Sequence, residues 1–389
     1  MKKIGVITTS CVESGSYGSN YGAALQGYAL IQQLRLMGFD AYDINYNSSN
    51  EHRPDQYSLF KRTIIRIGLL TKPDVVKNKI SSIRNRKNNQ KLFNAFMRFV
   101  REYNLTYENG KYFTLEELKS ISGSFFAFIT GSDVVWNPYL HKEVNDKGYF
   151  LDFTTSEVKR IAYAPSTGVT IFPESAQVDL KDLLIKFDAL SIREESGANL
   201  IKEITGLNVP VVLDPTMLLN PTEYSKIEKM PSGFPPEYIL VYKFGNIPHT
   251  METIRRAEKY FKLPVVYIPA GKYEKGITPS YDIGPAEFIG LIKNARVVIT
   301  DSFHCSVFCL IYHTPFYTFF RTLPQKGKEL NSRMKDLLSM VELQDRLIKP
   351  EKKVDFTFVD EINFDAVDTI LAQRRKESLN YLKKALEMD

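Results

Sequence analysis

Tryptophan is almost absent from this chain: Trp136 is the single one in 389 residues, beside 22 tyrosines and 25 phenylalanines. Cysteine is scarce too. Cys11, Cys305 and Cys309 cannot make a disulfide framework, and no Cys/His spacing suits a structural zinc, so a reducing cytoplasm is expected. No apolar run approaches the about 18 residues that a membrane-spanning helix needs. The apolar run of residues 4–7 is too short for a signal peptide and reads as a first strand. There is no internal repeat and no low-complexity tract. The Ser/Gly loop of residues 14–20 resembles a phosphate cradle but has neither the dinucleotide fingerprint nor a P-loop lysine. Histidine is sparse. His52, His141, His249 and His313 read as surface or structural residues, and His304 is the exception.

What is present begins with charge. The net charge of +6 hides twelve Lys or Arg against the single acid Asp74 between Lys61 and Arg101, a local +11 that leaves the remainder at −5. Such a stretch suits an anionic partner: lipid head groups, a lipid-diphosphate acceptor, an acidic glycan or nucleic acid. The plainer reading is a solvated pair of helices, with Ile80, Ile83, Phe93 and Phe96 turned inward.

Apolar periodicity orders the rest. Strands are expected at 3–9, 39–45, 125–130, 160–164, 189–192 and 209–213, and helices at 23–37 and within the basic stretch. A second alternating series follows residue 238. It has strands at 239–242, 265–269, 297–300 and 316–320, and helices at 251–261, 285–295, around 304, 332–341 and 367–386. Two βα series of this length predict an α/β protein with two Rossmann-like domains facing across a cleft. The expected division is 1–215 with a basic helical insertion near 61–103, then 216–350, then a helical tail at 351–389 that packs back on the first domain.

Five segments place polar or glycine residues just past a strand, where open α/β sheets bind ligands. They are Asn20-Tyr21-Gly22-Ala23, Gly131-Ser132-Asp133 with Trp136-Asn137, Ile192-Arg193-Glu194, Leu213-Asp214-Pro215-Thr216, and Thr300-Asp301-Ser302-Phe303-His304. Ser302 offers N-cap chemistry, and His304 falls in the first turn of the helix that follows, beside amides that favour anions. The residues alone leave His304 either an acid or a satisfied capping residue. Arg193 is either a fork for phosphate or carboxylate oxygens or a salt-bridge partner of Glu194 or Glu195. Asp133 is a partner of an acceptor hydroxyl or an N-cap. Trp136 is a sugar platform or a core indole. Asp214, before a proline, reads as a structural turn residue.

In order and spacing these segments, together with Asn331-Ser332-Arg333, resemble the polysaccharide pyruvyl transferase family over about residues 3–346. The resemblance implies a GT-B-like fold and transfer of pyruvate from phosphoenolpyruvate to a sugar as a cyclic ketal, in bacterial surface polysaccharide biosynthesis. It implies His304 as catalytic acid and Arg193 as donor ligand. Several family members carry an arginine two residues before the histidine. Ser302 stands there in this chain, which makes Arg321 and Arg333 the candidates for a second donor cation. Asn20, Tyr21, Gly22 and Trp136 are the expected acceptor contacts, with Asp133 as partner of the acceptor hydroxyl. The implied partners are phosphoenolpyruvate as co-substrate and a lipid-linked or nucleotide-linked sugar, with no metal, other cofactor or nucleic acid. A cytoplasmic enzyme peripheral at the inner membrane face, through residues 61–101, is expected. The rival readings are a GT-B glycosyltransferase using a nucleotide sugar and a non-catalytic glycan-binding protein.

Overall fold

The computed structural model describes residues 1–9, 20–46, 73–141, 144–244, 250–270, 280, 282–320, 331–349 and 352–388, and for 73–87 the helical backbone alone. Arg321, His52, His249, Cys11, the loop of residues 10–19 and the basic residues between 61 and 72 lie outside these.

Two parallel sheets organise the chain. The first has the order β2-β1-β3-β4, from β1 (Lys3–Ile7), β2 (Asp40–Asp43), β3 (Ala127–Thr130) and β4 (Lys159–Ala162). The second has the order β6-β5-β7-β8-β9, from β5 (Ile239–Lys243), β6 (Val265–Pro269), β7 (Val297–Thr300), β8 (Phe316–Phe319) and β9 (Leu347–Ile348). Strands such as β3 and β7 are buried along their whole length, as parallel strands covered by helices on both faces must be. The two facing Rossmann-like units expected from the sequence are thus present.

Two expected strands are reduced. Residues 189–192 and 209–213 extend the first sheet through isolated parallel bridges, Ile161 to Ala189 and Ile192 to Val211. The ladder breaks there because the Asp188 carboxylate takes the Arg160 amide at 2.8 Å, and because Pro210 has no N–H to donate. The expected pair of basic helices is instead one helix of 30 residues, in keeping with a sequence that has no glycine or proline between Asp74 and Glu102.

The helices are α1 (Tyr21–Leu36), α2 (Pro73–Glu102), α3 (Glu195–Thr205), α4 (Thr250–Phe261), α5 (Pro285–Lys293), α6 (Phe303–Tyr312), α7 (Ser332–Met340) and α8 (Phe364–Ala385), with shorter turns between them. The described helices include none long and apolar enough to cross a membrane.

One apolar cluster runs through both units, from Ile4 and Leu25 to Phe288, Phe308 and Leu371. Tyr21 is its pin. Its ring stacks on Phe288 at 4.2 Å between centroids, meets Tyr242 edge-on at 5.5 Å, and leans on Phe96 of α2 at 4.9 Å. Its hydroxyl donates to the Ile283 carbonyl at 2.8 Å. The end of α2 also bridges the units at the surface, through Arg98 to Asp282 at 3.4 Å and Glu102 to Lys229 at 2.7 Å. Helix α8 returns to the first unit. Ser378 accepts from the Leu213 amide, Tyr381 donates to the Ala162 carbonyl, and Arg375 donates to the Met217 carbonyl.

Phe96 is fully buried between the units. Phe96→Ala is expected to cost about 3–5 kcal/mol, the usual range for removing a core aromatic ring. Denaturant unfolding measures it, and a cost below about 1 kcal/mol would show that α2 does not help to hold the units together.

Candidate active site

Each sheet changes direction once, β1 to β3 in the first and β5 to β7 in the second, and the chain segments leaving those strands meet. Such switch points are where open α/β sheets leave a crevice beyond their carboxyl edges. Thr8 follows β1, Ser132 and Asp133 follow β3, and Ser302 and His304 follow β7.

From the first unit, the Thr8 hydroxyl donates to the Ser132 carbonyl at 2.6 Å and accepts from Gln26 of α1 at 2.9 Å. Asp133 takes φ +72°, a left-handed conformation that Asp tolerates better than most residues. A parallel bridge to Pro165 and the Ser166 amide, which donates to the Asp133 carbonyl at 2.8 Å, hold it there. Arg193 lies just past the bridge at Ile192, and Asp214 past the bridge at Val211.

Asp214 is the hub. It is wholly buried, and one oxygen, Oδ1, accepts from the Thr216 amide at 3.0 Å and the Thr216 hydroxyl at 2.7 Å. The other, Oδ2, accepts from the Ser132 hydroxyl and from Arg193 Nη1, both at 2.9 Å. His304 Nε2 approaches the same oxygen at 3.3 Å, within ion-pair range though out of line for a hydrogen bond. Burial works to raise the Asp214 carboxyl. The imidazolium charge and contact of His304, then Arg193 and Thr216, outweigh burial and hold it well below the usual carboxylate range.

Arg193 is buried as well. Its Nε meets Glu194 at 3.3 Å and its Nη1 lies 4.0 Å from Asp133. Burial lowers the guanidinium, but Glu194, Asp214 and Asp133 together raise it above its ordinary value. Nη2 is buried and makes no hydrogen bond among the described residues. Arg333, on α7 of the second unit, reaches the same Asp133 oxygen at 3.7 Å. The Phe303 ring carries the Arg193 guanidinium on its face at 4.6 Å and meets the His304 ring at 5.1 Å, nearly perpendicular.

The second unit supplies His304 through α6. Ser302 caps that helix, its hydroxyl accepting from the Cys305 amide at 3.4 Å, while its own amide donates to the Thr300 hydroxyl at 3.0 Å. Gly22, in the first turn of α1, lies against the imidazole. A Cβ there would fall 2.1 Å from Nδ1, so no larger residue fits beside His304 in this position. Next to the cluster is a cavity of about 330 Å³ between the units, walled by Arg193, Asp214, Phe303, Arg333 and Asp336 but not by His304. Asp336 of α7 accepts from the Ser196 amide at 3.1 Å and the Ser196 hydroxyl at 2.7 Å, joining the two units at the start of α3.

His304, Arg193, Asp133, Ser302, Arg333 and Gly22 therefore lie in one constellation. Two expectations are corrected. Trp136 is no open platform: it is buried, its ring stacked on Phe150 at 5.3 Å and its N–H donated to the Tyr149 carbonyl at 3.2 Å. Tyr21 is the pin of the interface, with both ring and hydroxyl occupied. Asn20 caps α1, its Oδ1 accepting from the Gly22 and Ala23 amides, which bears on those amides and not on Asn20 as an acceptor contact. A further change is Asp214, read from sequence as a turn residue. It does make that turn, and it also joins Arg193 to His304. The signal was its place past a strand end, which it shares with the other four segments. Among the described residues no cluster of His, Cys, Asp and Glu suits a metal.

The family model described as polysaccharide pyruvyl transferase matches residues 20–319. No curated protein matches the chain. Among solved structures, the UDP-GlcNAc 2-epimerase of Methanocaldococcus jannaschii is 12% identical with a TM-score of 0.48, covering 96% of this chain and 92% of that one. The S. aureus MnaA–UDP structure is 13% identical with a TM-score of 0.47, covering 100% and 98%. Spinosyn forosaminyltransferase SpnP is 12% identical with a TM-score of 0.41, covering 98% and 95%.

The hub carries a stability prediction. Because the folded Asp214 carboxyl lies below its unfolded value of about 3.9, its contribution is complete above that pH and is lost as pH falls below it. Asp214→Asn is expected to be less stable near pH 7 by about 3 kcal/mol, since a buried pair loses its anion. Its stability should also fall less steeply between about pH 4 and 2, having one fewer proton to take up. Urea midpoints across this range decide it; parallel pH curves for the two proteins would overturn it.

Proposed function

Since the chain belongs to the polysaccharide pyruvyl transferase family, we propose that it moves pyruvate from phosphoenolpyruvate onto two hydroxyls of a sugar as a cyclic ketal. The observation that carries this reading is the buried Arg193–Asp214–His304 contact, drawn from both units and flanked by Arg333.

The chemistry asks for these groups. A proton is added to the methylene carbon of the enol, and a sugar hydroxyl adds at the neighbouring carbon. Phosphate then leaves, and the second hydroxyl closes the ketal. Of the two hydroxyl protons, one replaces the proton delivered to carbon and the other departs with phosphate. His304 is the acid for the first step. Arg193, a planar fork with Nη2 uncommitted among the described residues, binds the donor's carboxylate or phosphate oxygens.

The ion pairs say what donor binding would displace. Arg193 and Arg333 both face Asp133, and Arg193 also meets Glu194 and Asp214. The longest of the ion pairs are those at Asp133, 4.0 Å from Arg193 and 3.7 Å from Arg333. A donor anion exchanges most readily there. Arg333 then serves as the second donor cation, in place of the arginine that Ser302 replaces, and the released Asp133 faces the acceptor hydroxyl. Ser302 adds its hydroxyl at the helix start beside the phosphate, and no metal or further cofactor is used.

The acceptor is a lipid-linked or nucleotide-linked sugar of surface-polysaccharide assembly, met in the cytoplasm. The basic stretch of residues 61–101 suits an anionic membrane face there.

Phosphate release from phosphoenolpyruvate across a panel of acceptor sugars tests the reading, with uridine diphosphate sugars as the competing donors. Release from phosphoenolpyruvate alone among them is expected; turnover of a nucleotide sugar instead would overturn it. His304→Ala should lower turnover by about two to four orders of magnitude with an unchanged circular dichroism spectrum. Turnover at the wild-type rate would remove the acid role. Arg193→Lys should weaken phosphoenolpyruvate binding by about 1.5–3 kcal/mol in calorimetry, because a point charge replaces the fork. Equal affinities would return Arg193 to a structural ion pair.

A further inference from the structure

We infer that Asp214 is a positioning residue for catalysis: its carboxylate, carried by the first unit, holds the imidazole carried by the second. The acid is then aligned by a group that the facing unit carries. This rests on the reading of His304 as the acid.

The partners of the two cations are unequal. Arg193 would keep Glu194 at 3.3 Å if Asp214 were lost. The imidazole would keep nothing of the kind, because among the described residues Asp214 is its only ion-pairing side chain. Phe303 and Gly22 limit where the ring can lie, but neither offers it a charge. The carboxylate itself is rigidly aimed. Thr216 holds Oδ1 through two bonds, and Ser132 with Arg193 holds Oδ2, so the direction of Oδ2 is set by the turn at 214–216 and by the first unit, without His304. The apolar seam around Tyr21 brings the second unit to that oxygen.

A double-mutant cycle in turnover of phosphoenolpyruvate with an accepted sugar separates positioning from mere structural support. Asp214→Asn is expected to lower kcat roughly 10- to 100-fold, the range for losing a carboxylate that orients a metal-bound histidine, while the KM for phosphoenolpyruvate stays within about threefold. In a His304→Ala background, with slow phosphate release followed over hours, the same change should alter the rate by no more than about twofold. The cycle is repeated with Thr216→Val, which removes one bond aiming the carboxylate and leaves the charge. A smaller fall is expected there, of roughly 3- to 10-fold, again vanishing when His304 is absent. This second variant decides the matter if the Asn protein does not fold. An equal loss in both backgrounds would overturn the inference and leave Asp214 a structural residue. Wild-type turnover by His304→Ala would instead sink the acid reading itself, so the two failures are distinguishable.

Discussion

A carboxylate with no access to water governs the arrangement of this protein's cleft. Removing Asp214 from solvent costs several kcal/mol unless its oxygens are fully engaged. That requirement draws Ser132, Arg193, Thr216 and His304 to one point. Arg193, buried in turn, needs its own anions, which brings in Glu194 and Asp133, and Asp133 reaches Arg333. Each buried charge thus calls up the next, and the chain of partners ends at the cavity between the units.

The polar hub is held by an apolar frame. The cluster that includes Tyr21, Phe96 and Phe288 continues from one unit into the other. A packed aromatic seam has little give, so the spacing of the two carboxyl edges is set by side-chain volumes. Gly22 shows how tight that spacing is, since a single methyl group would strike the imidazole. The neighbouring residues of one short segment divide the work: Asn20 caps the helix, Tyr21 pins the interface, and Gly22 makes room for His304.

Much of the fold was legible in the residues. Buried parallel strands leave continuous apolar runs, and the runs at 297–300 and 265–269 coincide with β7 and β6. The less regular strands were harder to read. Residues 189–192 and 209–213 are apolar enough for strands, yet Asp188 and Pro210 spoil the ladder, and only pairing partners reveal that. Most residues of the constellation were legible too, because they sit just past strand ends, where open α/β sheets bind ligands, in the order of the family's segments. His304, Arg193 and Asp133 share that signature.

The sequence by itself determined which strand ends carry polar groups, since that depends on local periodicity and capping alone. It did not determine which of those ends would meet. Trp136 and Tyr21 carry the same amphipathic chemistry as residues that stack on sugars, and only their neighbours, Phe150 and Phe288, turned them into core. Asp214 next to a proline is a turn residue by local rules, and it became the joint between Arg193 and His304 through contacts spanning 21 and 90 positions. Burial and long-range pairing are properties of the packed whole. Tertiary structure therefore decided which of several equivalent local chemistries came to face the cleft.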